Sequence, residues 1–381
     1  MRYRVGIVGA GQLARMMAQA AIPLGIELTL LAASADDGAA QVVPNVVVGP
    51  PDDPERIREL AARVDVVTFD HELVDPDLLD ALVAEGHHVQ PPPDEMRLAQ
   101  NKRLQRQMVT DAGLPGPAWA PIGDQADLDR FAGEHGWPVV LKAVRGGYDG
   151  RGVWVVEDRD AAAEVIAGTR ESGTELLAEA FQPLDGELAV LVARNPSGDH
   201  RVYPATETVQ RDGICHELHV PARFGPEVSR KAEDIAVRIA ERIGATGMLA
   251  IEFFVVGERV LINELAPRPH NSGHWTIEGA EVSQFEQHLR AVLDWPLGAT
   301  AMVAPAVVTR NLLGPADGGD PFARIPHALA CSGAHVHWYG KESRPGRKIG
   351  HVTARADAAA DAERMATAAW SALMFGKGDE A

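Results

Sequence analysis

Cysteine is nearly absent from this chain. The 381 residues hold two, Cys215 and Cys331, which make no CxxC pair and no disulfide framework. Such usage fits a reducing cytoplasm. Positive charge is also short: 36 Lys and Arg stand against 54 Asp and Glu, a net charge of −18. Non-specific nucleic-acid binding needs a basic surface, so that class is excluded. No apolar run approaches the roughly 20 residues that span a bilayer. The opening Met1-Arg2-Tyr3-Arg4-Val5 lacks a secretory apolar core and a small-residue cleavage site. The expectation is a soluble, cytoplasmic protein acting on small molecules, with neither nucleic acid nor membrane as partner. The length suits two or three domains of roughly 100–200 residues each.

Glycine, by contrast, is concentrated where it matters. In Pro138–Val153 an apolar run, Val139-Val140-Leu141, reads as a buried strand closed by Lys142. Gly146, Gly147, Gly150 and Gly152 then punctuate a loop that also carries Arg145, Tyr148, Asp149 and Arg151. Such a loop admits positive φ and lets backbone approach a ligand closely. Successive amides in it form an anion-binding concavity, and the neighbouring cations suit phosphate. Two readings stand: a tight hairpin returning through Val153–Val156, and a phosphate-binding loop. Lys142, Asp149 and Arg151 together favour the second.

The chain begins with a strand, Val5–Val8, the turn Gly9-Ala10-Gly11-Gln12-Leu13-Ala14, and a helix to about Leu24. Leu13, Met16, Met17, Ala20 and Leu24 form its apolar stripe. A second strand runs from Glu27 to Leu31. This is a Rossmann-type unit, but the acidic residue expected after the second strand is missing, where Ala32-Ala33-Ser34 stand. An α/β domain follows from this, and the missing acid counts against NAD. The helix N-terminus still offers amides to an anion or polar ligand. Further strands, Val46–Val48 and Val64–Phe69, lead to Asp70-His71-Glu72. Gln12 and Glu72 thus sit at carboxyl ends of strands, where ligands of open sheets bind.

Pro91-Pro92-Pro93 and Gly113–Pro117 frame one helical stretch, Asp94–Ala112, and mark a domain boundary. A helix over Asp124–Gly136, strands at Val139, Glu175–Phe181 and Gly186–Val192, and a helix near Ala161–Ser172 follow. Trp137 to about Glu179 reads as a βαβ-like insert with the glycine loop at its tip, suited to act as a lid. Ser229 reads as the N-cap of a helix that stops at Gly244.

Met248–Val256, the turn Gly257-Glu258-Arg259 and Val260–Leu265 predict a hairpin. Centred on Glu258, it places Glu252 directly opposite Glu264, with Cβ atoms about 4.5–5.5 Å apart. Carboxylates that close repel unless a cation lies between them. Mg²⁺ with phosphate oxygens is the economical answer; a different register with both glutamates solvated is the other. Ala266–Trp275 follows, dense in polar groups, with Arg268 between prolines and His270 and His274 beyond. Near the C-terminus Lys341, Arg344, Arg347 and Lys348 put four cations within eight residues.

Four stretches, GAGQL at Gly9–Leu13, GGYDGRG at Gly146–Gly152, INELAPRPHNSGHW at Ile262–Trp275 and HWYGKESRPGRKIGH at His337–His351, come in one order across the chain. Together they resemble the ATP-grasp superfamily, and within it the ATP-dependent N5-carboxyaminoimidazole ribonucleotide synthetases, the ATPase subunits of phosphoribosylaminoimidazole carboxylase. The resemblance implies a Rossmann-like domain over 1–100, an ATP-grasp domain over 101–305 with its lid at about 137–180, and a small C-terminal substrate-side domain over 306–381. It implies nucleotide contacts at Lys102, Lys142, Gly147, Tyr148, Asp149, Gly150, Arg151, Gly152, Val153, Glu179, Ala180, Phe181, Gln182, Glu187, Gln210, Asn263 and Glu264. Glu252 and Glu264 match the metal ligands for Mg²⁺, or Mn²⁺ in its place. The substrate edge matches Gln12, Leu13, Glu72, Tyr148, Arg151, Asn271, His274, Lys341, Arg344, Arg347 and Lys348, with Asp149, Arg151 and Lys341 catalytic. The sequence departs from the family at Asp70-His71-Glu72-Leu73, usually of Glu-Phe-Glu-Asn type, and at Gln210, where some relatives have histidine.

The implied activity is carboxylation of 5-aminoimidazole ribonucleotide through carboxyphosphate, with ATP and bicarbonate as co-substrates, no biotin, and a homodimeric enzyme in purine biosynthesis. Two alternatives remain: an ATP-grasp ligase for another amine such as glycinamide ribonucleotide, and an NAD-dependent oxidoreductase on Gly9–Ala14.

Overall fold

The computed structural model describes residues 3–147 and 151–376. Three sheets organise the chain. The first is parallel, with Arg4–Val8 between Glu27–Ala32 and Val66–Phe69, and Asn45–Val48 outside Glu27–Ala32. Its short apolar strands are buried on both faces, as parallel sheets require. The Gln12–Leu24 helix covers one face through Leu13, Ala14, Met16, Met17, Ala18 and Ala21, and ends at left-handed Gly25. Ala20 and Leu24 of the expected stripe lie at its margin. Val8 pairs with Phe69, so the residues that follow them, Gly9 and Asp70, become neighbours.

The second sheet is the lid expected from the glycine loop, but it is antiparallel throughout, not βαβ-like. Its order is Trp119–Ile122, Leu176–Ala180, Val139–Ala143, Val153–Val156. The Trp119–Ile122 strand was not expected, because Pro121 interrupts a run that carries little β pattern. It sits at the sheet edge, where proline is tolerated.

The third sheet has nine strands. Arg259–Ala266, Gly247–Val256, Gly186–Arg194, Thr206–Arg211, Ile214–Val220, Ala306–Leu313, Lys348–Ala356 and Ala334–Trp338 follow in that order, and His200–Val202 pairs beside Gly186–Arg194. The C-terminal strands therefore continue the sheet that carries the glutamate hairpin. The Ala359–Phe375 helix packs on them through Ala362, Ala366, Ala369 and Leu373.

Two helical expectations change. The Asp94–Ala112 stretch is two helices, Pro93–Gln100 and Lys102–Asp111, parted at Asn101, whose backbone is extended and whose side chain accepts from Leu104 N. An asparagine side chain competes for local amides and starts a new helix. The helix assigned to a Ser229 cap begins earlier, at Pro226 after Gly225, and Ser229 lies inside it with its hydroxyl donating to Gly225 O. Proline suits the first helical position, where no amide partner is needed. The Gly244 stop is as expected, with φ 63°.

First and third sheets are joined through His288. Its Nδ1 accepts from Met248 N at 3.1 Å, so Nε2 carries the proton and faces Thr68 Oγ1 at 2.8 Å. Among the described residues, no helix is long and apolar enough to cross a membrane.

Candidate active site

The glutamate hairpin reaches the expected pairing by a different route. The turn is two residues, Gly257-Glu258, because Val256 pairs with Arg259. That register alone would set Glu252 against Asn263. A bulge takes up Asn263 as an extra residue, and Glu252 faces Glu264 after all. A bulge opposes two residues to one and re-aims side chains. Asn263 and Glu264 consequently both meet lysines. Lys142 Nζ donates to Asn263 Oδ1 at 3.1 Å, and Lys102 Nζ to Glu264 Oε2 at 2.9 Å.

For Glu252, burial outweighs the cations Lys348 and Lys102 that act on it. Burial pushes its carboxyl up to about 8, and the charges of Glu264 and Glu187 add to the effect. His270 Nε2 lies 3.5 Å from Glu252. Burial, with Arg268 next, holds that imidazole well below its ordinary value, so it is neutral. Its Nδ1 accepts from Ser272 N at 3.3 Å, which leaves the Nε2 proton toward Glu252. Two facing glutamates that repel when both are ionised form a donor set that suits a divalent cation with oxygen ligands.

Lys142 closes the other side. Its ammonium is 2.8 Å from Glu179 Oε2 and 5.6 Å from the Phe254 ring centroid. Glu179 Oε1 receives Arg106 Nε at 2.6 Å, and both side chains are 2% exposed. Burial would raise the Glu179 carboxyl, but Lys142 and Arg106 overcome it and hold it at about 2. Glu179's carboxylate is thus engaged by two cations of the protein itself. Ala180 O accepts from Gln182 Nε2 at 3.1 Å, and Phe181 is exposed. Burial raises Glu187 to about 7, with Lys142 and the Gln210 side chain opposing. So Glu187 and Gln210 are brought together near Lys142.

In the lid loop, Gly147 approaches the Arg151 carbonyl so closely that a Cβ would lie 2.8 Å from it. Gly152 has φ 73°, and Val153 is exposed. The expected contacts Tyr148, Asp149 and Gly150 lie outside the described residues.

The substrate edge is partly rearranged. One of the amides expected to await an anion at the first helix is taken. Gly11 N donates to Asp70 Oδ2 at 2.6 Å, and Gly9, at φ 111°, abuts the same carboxylate. Gln12 Oε1 accepts from Lys341 Nζ, which joins the first domain to the C-terminal segment. Burial, then Arg347, pulls Lys341 down to about 8, and Asp70 opposes this. Glu72 pairs with Arg268 at 2.8 Å. Lys348 is half-buried at the start of its strand.

Three expected substrate contacts, Leu13, His274 and Arg344, have their side chains engaged within the protein. Leu13 is 4% exposed and packs in the core of the first domain, because it lies on the helix face turned to the sheet. His274 is 1% exposed. It stacks on His351 at 4.7 Å, and its Nδ1 lies 3.1 Å from the Tyr339 hydroxyl, which also meets His351 Nδ1 at 2.7 Å. Arg344 pairs with Glu342 at the exposed surface, and Arg347 Nη1 donates to Glu342 O at 3.2 Å. Asn271 opens the short helical turn Asn271–Gly273, with its Oδ1 buried and, among the described residues, without a hydrogen-bond partner.

Sequence reasoning passed over Arg106, Asp70 and Tyr339. Arg106 had a signal: it stands one helical turn from Lys102, so the two share a face. Asp70 at a strand's carboxyl end and Tyr339 within the His337–His351 motif were marked only by position, since the contacts of both are made by the fold.

Family comparison converges on the same arrangement. Residues 2–100 match the ribonucleotide synthetase preATP-grasp domain, 107–285 the ATP-grasp domain, and 307–365 the phosphoribosylaminoimidazole carboxylase C-terminal domain. The N5-carboxyaminoimidazole ribonucleotide synthase of Mycobacterium tuberculosis is 48% identical over 363 residues, 91% of this chain and 82% of that protein. The crystal structure of N5-carboxyaminoimidazole ribonucleotide synthetase from Thermus thermophilus superposes with a TM-score of 0.88 at 38% identity, covering 99% of this chain and 100% of that one. The synthase from Aspergillus clavatus, solved with ADP and 5-aminoimidazole ribonucleotide, gives 0.89 at 30% identity, covering 98% of each chain. With the lysines, the glutamate hairpin and all three matched domains in one order, the chain belongs to the N5-carboxyaminoimidazole ribonucleotide synthase family, ATP-dependent ligases of the ATP-grasp superfamily.

Proposed function

We propose that this enzyme carboxylates the 5-amino group of 5-aminoimidazole ribonucleotide at the expense of ATP, with bicarbonate as the carbon source and without biotin. The observation that carries this reading is the group formed by Lys102, Lys142, Asn263 and Glu264 beside Glu252. A bicarbonate oxygen attacks the γ-phosphorus, ADP leaves, and carboxyphosphate forms. Lys142 and the lid glycines neutralise and orient the transferring group, which is where phosphoryl-transfer catalysis lies. Lys102 gives up Glu264 as the nucleotide enters. Glu252 and Glu264 would hold Mg²⁺ or Mn²⁺, which supplies screening of phosphate charge when bound.

Carboxyphosphate, or CO₂ released from it, then meets the amine. Asp149 or the released phosphate takes the amine proton, and Arg151 and Lys341 steady the anionic intermediate. Gln12, Glu72, Arg347 and Lys348 line the substrate side, and a closed lid excludes water from the labile intermediate. The working units are 1–100 for substrate, 101–305 for nucleotide and 306–381 for the substrate phosphate. A homodimer in the cytoplasm completes the reading, supported by family likeness and by two cysteines that are both free.

The test is ADP release from Mg-ATP and bicarbonate with and without 5-aminoimidazole ribonucleotide. Strong stimulation, lost in Glu264→Ala, is expected. Stimulation by glycinamide ribonucleotide with formate instead would move the chain to that other amine.

A further inference from the structure

We infer that Arg106 is a positioning residue for the nucleotide step: it holds the Glu179 carboxylate, and through it aims the Lys142 ammonium into the site. The inference rests on the reading of Lys142 as a phosphate contact. Arg106 touches none of the expected reactants itself. It lies on the Lys102–Asp111 helix, which is fixed to the large sheet. Gln105 Oε1 accepts Leu265 N at 3.3 Å, and Val109 packs in the core with Ile262 and Leu265. The first turn of that helix is also tied to the lid, because Lys102 N donates to Val144 O at 2.9 Å. Glu179 belongs to a lid strand and Asn263 to the large sheet. The chain Arg106–Glu179–Lys142–Asn263 therefore crosses from the helix to the lid and back to the large sheet.

The charge count gives the chain its purpose. One dry carboxylate shares itself between two cations, one on each oxygen: Arg106 at 2.6 Å and Lys142 at 2.8 Å. A buried group built only for stability would be neutral, since an unmatched buried charge is costly. Within this trio one positive charge is in excess, offset in part by the nearby Glu187 carboxyl, and the ammonium donates to Asn263 Oδ1, the neighbour of Glu264. With Arg106 removed, Lys142 and Glu179 become a closed neutral pair, and the ammonium has no surplus to offer an anion. Arginine also fixes the geometry, because its planar fork is rigid where a lysine stem is not.

A double-mutant cycle with Lys142 tests this. Mg-ADP affinity is measured by calorimetry for wild type, Arg106→Gln, Lys142→Ala and the double variant, with steady-state KM for ATP and for 5-aminoimidazole ribonucleotide alongside. Arg106→Gln is expected to weaken Mg-ADP by about tenfold or more and to leave the KM for the second substrate unchanged. In the Lys142→Ala background the same change is expected to shift Mg-ADP affinity by less than about twofold, because the group it acts through is gone. Equal losses in both backgrounds, or no loss in either, overturn the inference. If Arg106→Gln does not fold, Arg106→Lys carries the same cycle, with an expected loss of about threefold in the wild-type background alone. A wild-type chain that binds Mg-ADP without stimulation by 5-aminoimidazole ribonucleotide sinks the proposed carboxylation and leaves the cycle readable. One that binds no Mg-ADP sinks both.

Discussion

Glu252→Gln should make the metal-free enzyme more stable at alkaline pH while weakening its use of Mg-ATP. The reasoning starts from the pairing of Glu252 with Glu264 across the hairpin. Two unit charges about 5 Å apart at an effective dielectric constant near 20 repel by roughly 3 kcal/mol. Burial works in the same direction, and together they lift the Glu252 carboxyl from 4.5 to about 8. At 1.36 kcal/mol per pH unit this is a ceiling of about 5 kcal/mol. The side chain is 27% exposed, so screening trims the term to about 2–3 kcal/mol. The sign follows from proton binding. A carboxyl raised in the folded state keeps its proton there after the unfolded chain has lost it. The penalty is therefore absent below pH 4.5, grows between 4.5 and about 8, and is complete above that. Glutamine removes the charge and keeps the shape. Thermal unfolding in EDTA from pH 5 to 9 should show wild type falling relative to Glu252→Gln by several degrees at the alkaline end, at about 2–4 °C per kcal/mol. With saturating Mg-ATP the order should reverse, because wild type alone keeps both carboxylate ligands. Parallel curves in EDTA across the whole range would refute the account of the pair.

Three further outcomes are expected. The Lys341 ammonium loses its proton near pH 8 because burial and Arg347 pull it down; the KM for 5-aminoimidazole ribonucleotide should rise above pH 8 in wild type and stay flat in Lys341→Arg, whose charge persists. Gly9→Ala sets a Cβ 1.7 Å from Asp70 Oδ1 at φ 111°; displacement of the substrate edge should cut kcat/KM for the ribonucleotide by about 10²-fold, with Mg-ADP affinity unchanged in calorimetry. Tyr339→Phe strands the Nδ1 atoms of His274 and His351 in a dry site; stability should fall by about 1–3 kcal/mol in thermal melts, with the KM for ATP unaffected.

Much was legible because local chemistry repeats it in the chain. Val139-Val140-Leu141 before four glycines can scarcely be anything but a buried strand entering a tight loop. Val5–Val8 and the Leu13, Met16, Met17, Ala20, Leu24 stripe read as strand and helix by period alone; both elements stand where expected, with Ala20 and Leu24 at the margin of the buried face. The family motifs marked the nucleotide and substrate ends without any coordinates. Other readings needed contacts that no local pattern encodes. His274 looked like a ligand in a polar run and is a buried partner of Tyr339 and His351, more than 60 residues away along the chain. Leu13 sat in a substrate motif and turned its side chain to the core.

The sequence by itself determined the opening strand–helix–strand unit, the glycine loop, the two glutamates and the membership of the family, because periodicity, backbone permissiveness and residue type are properties of neighbours in the chain. The tertiary structure decided which charges meet. Asn263 enters as a bulge, and so puts Glu264 rather than itself opposite Glu252. Asp70 takes the Gly11 amide at the start of the first helix, and Arg106 on a helix shares a carboxylate of the lid sheet with Lys142. Such pairings depend on register and on distances between segments far apart in sequence. Only packing sets those.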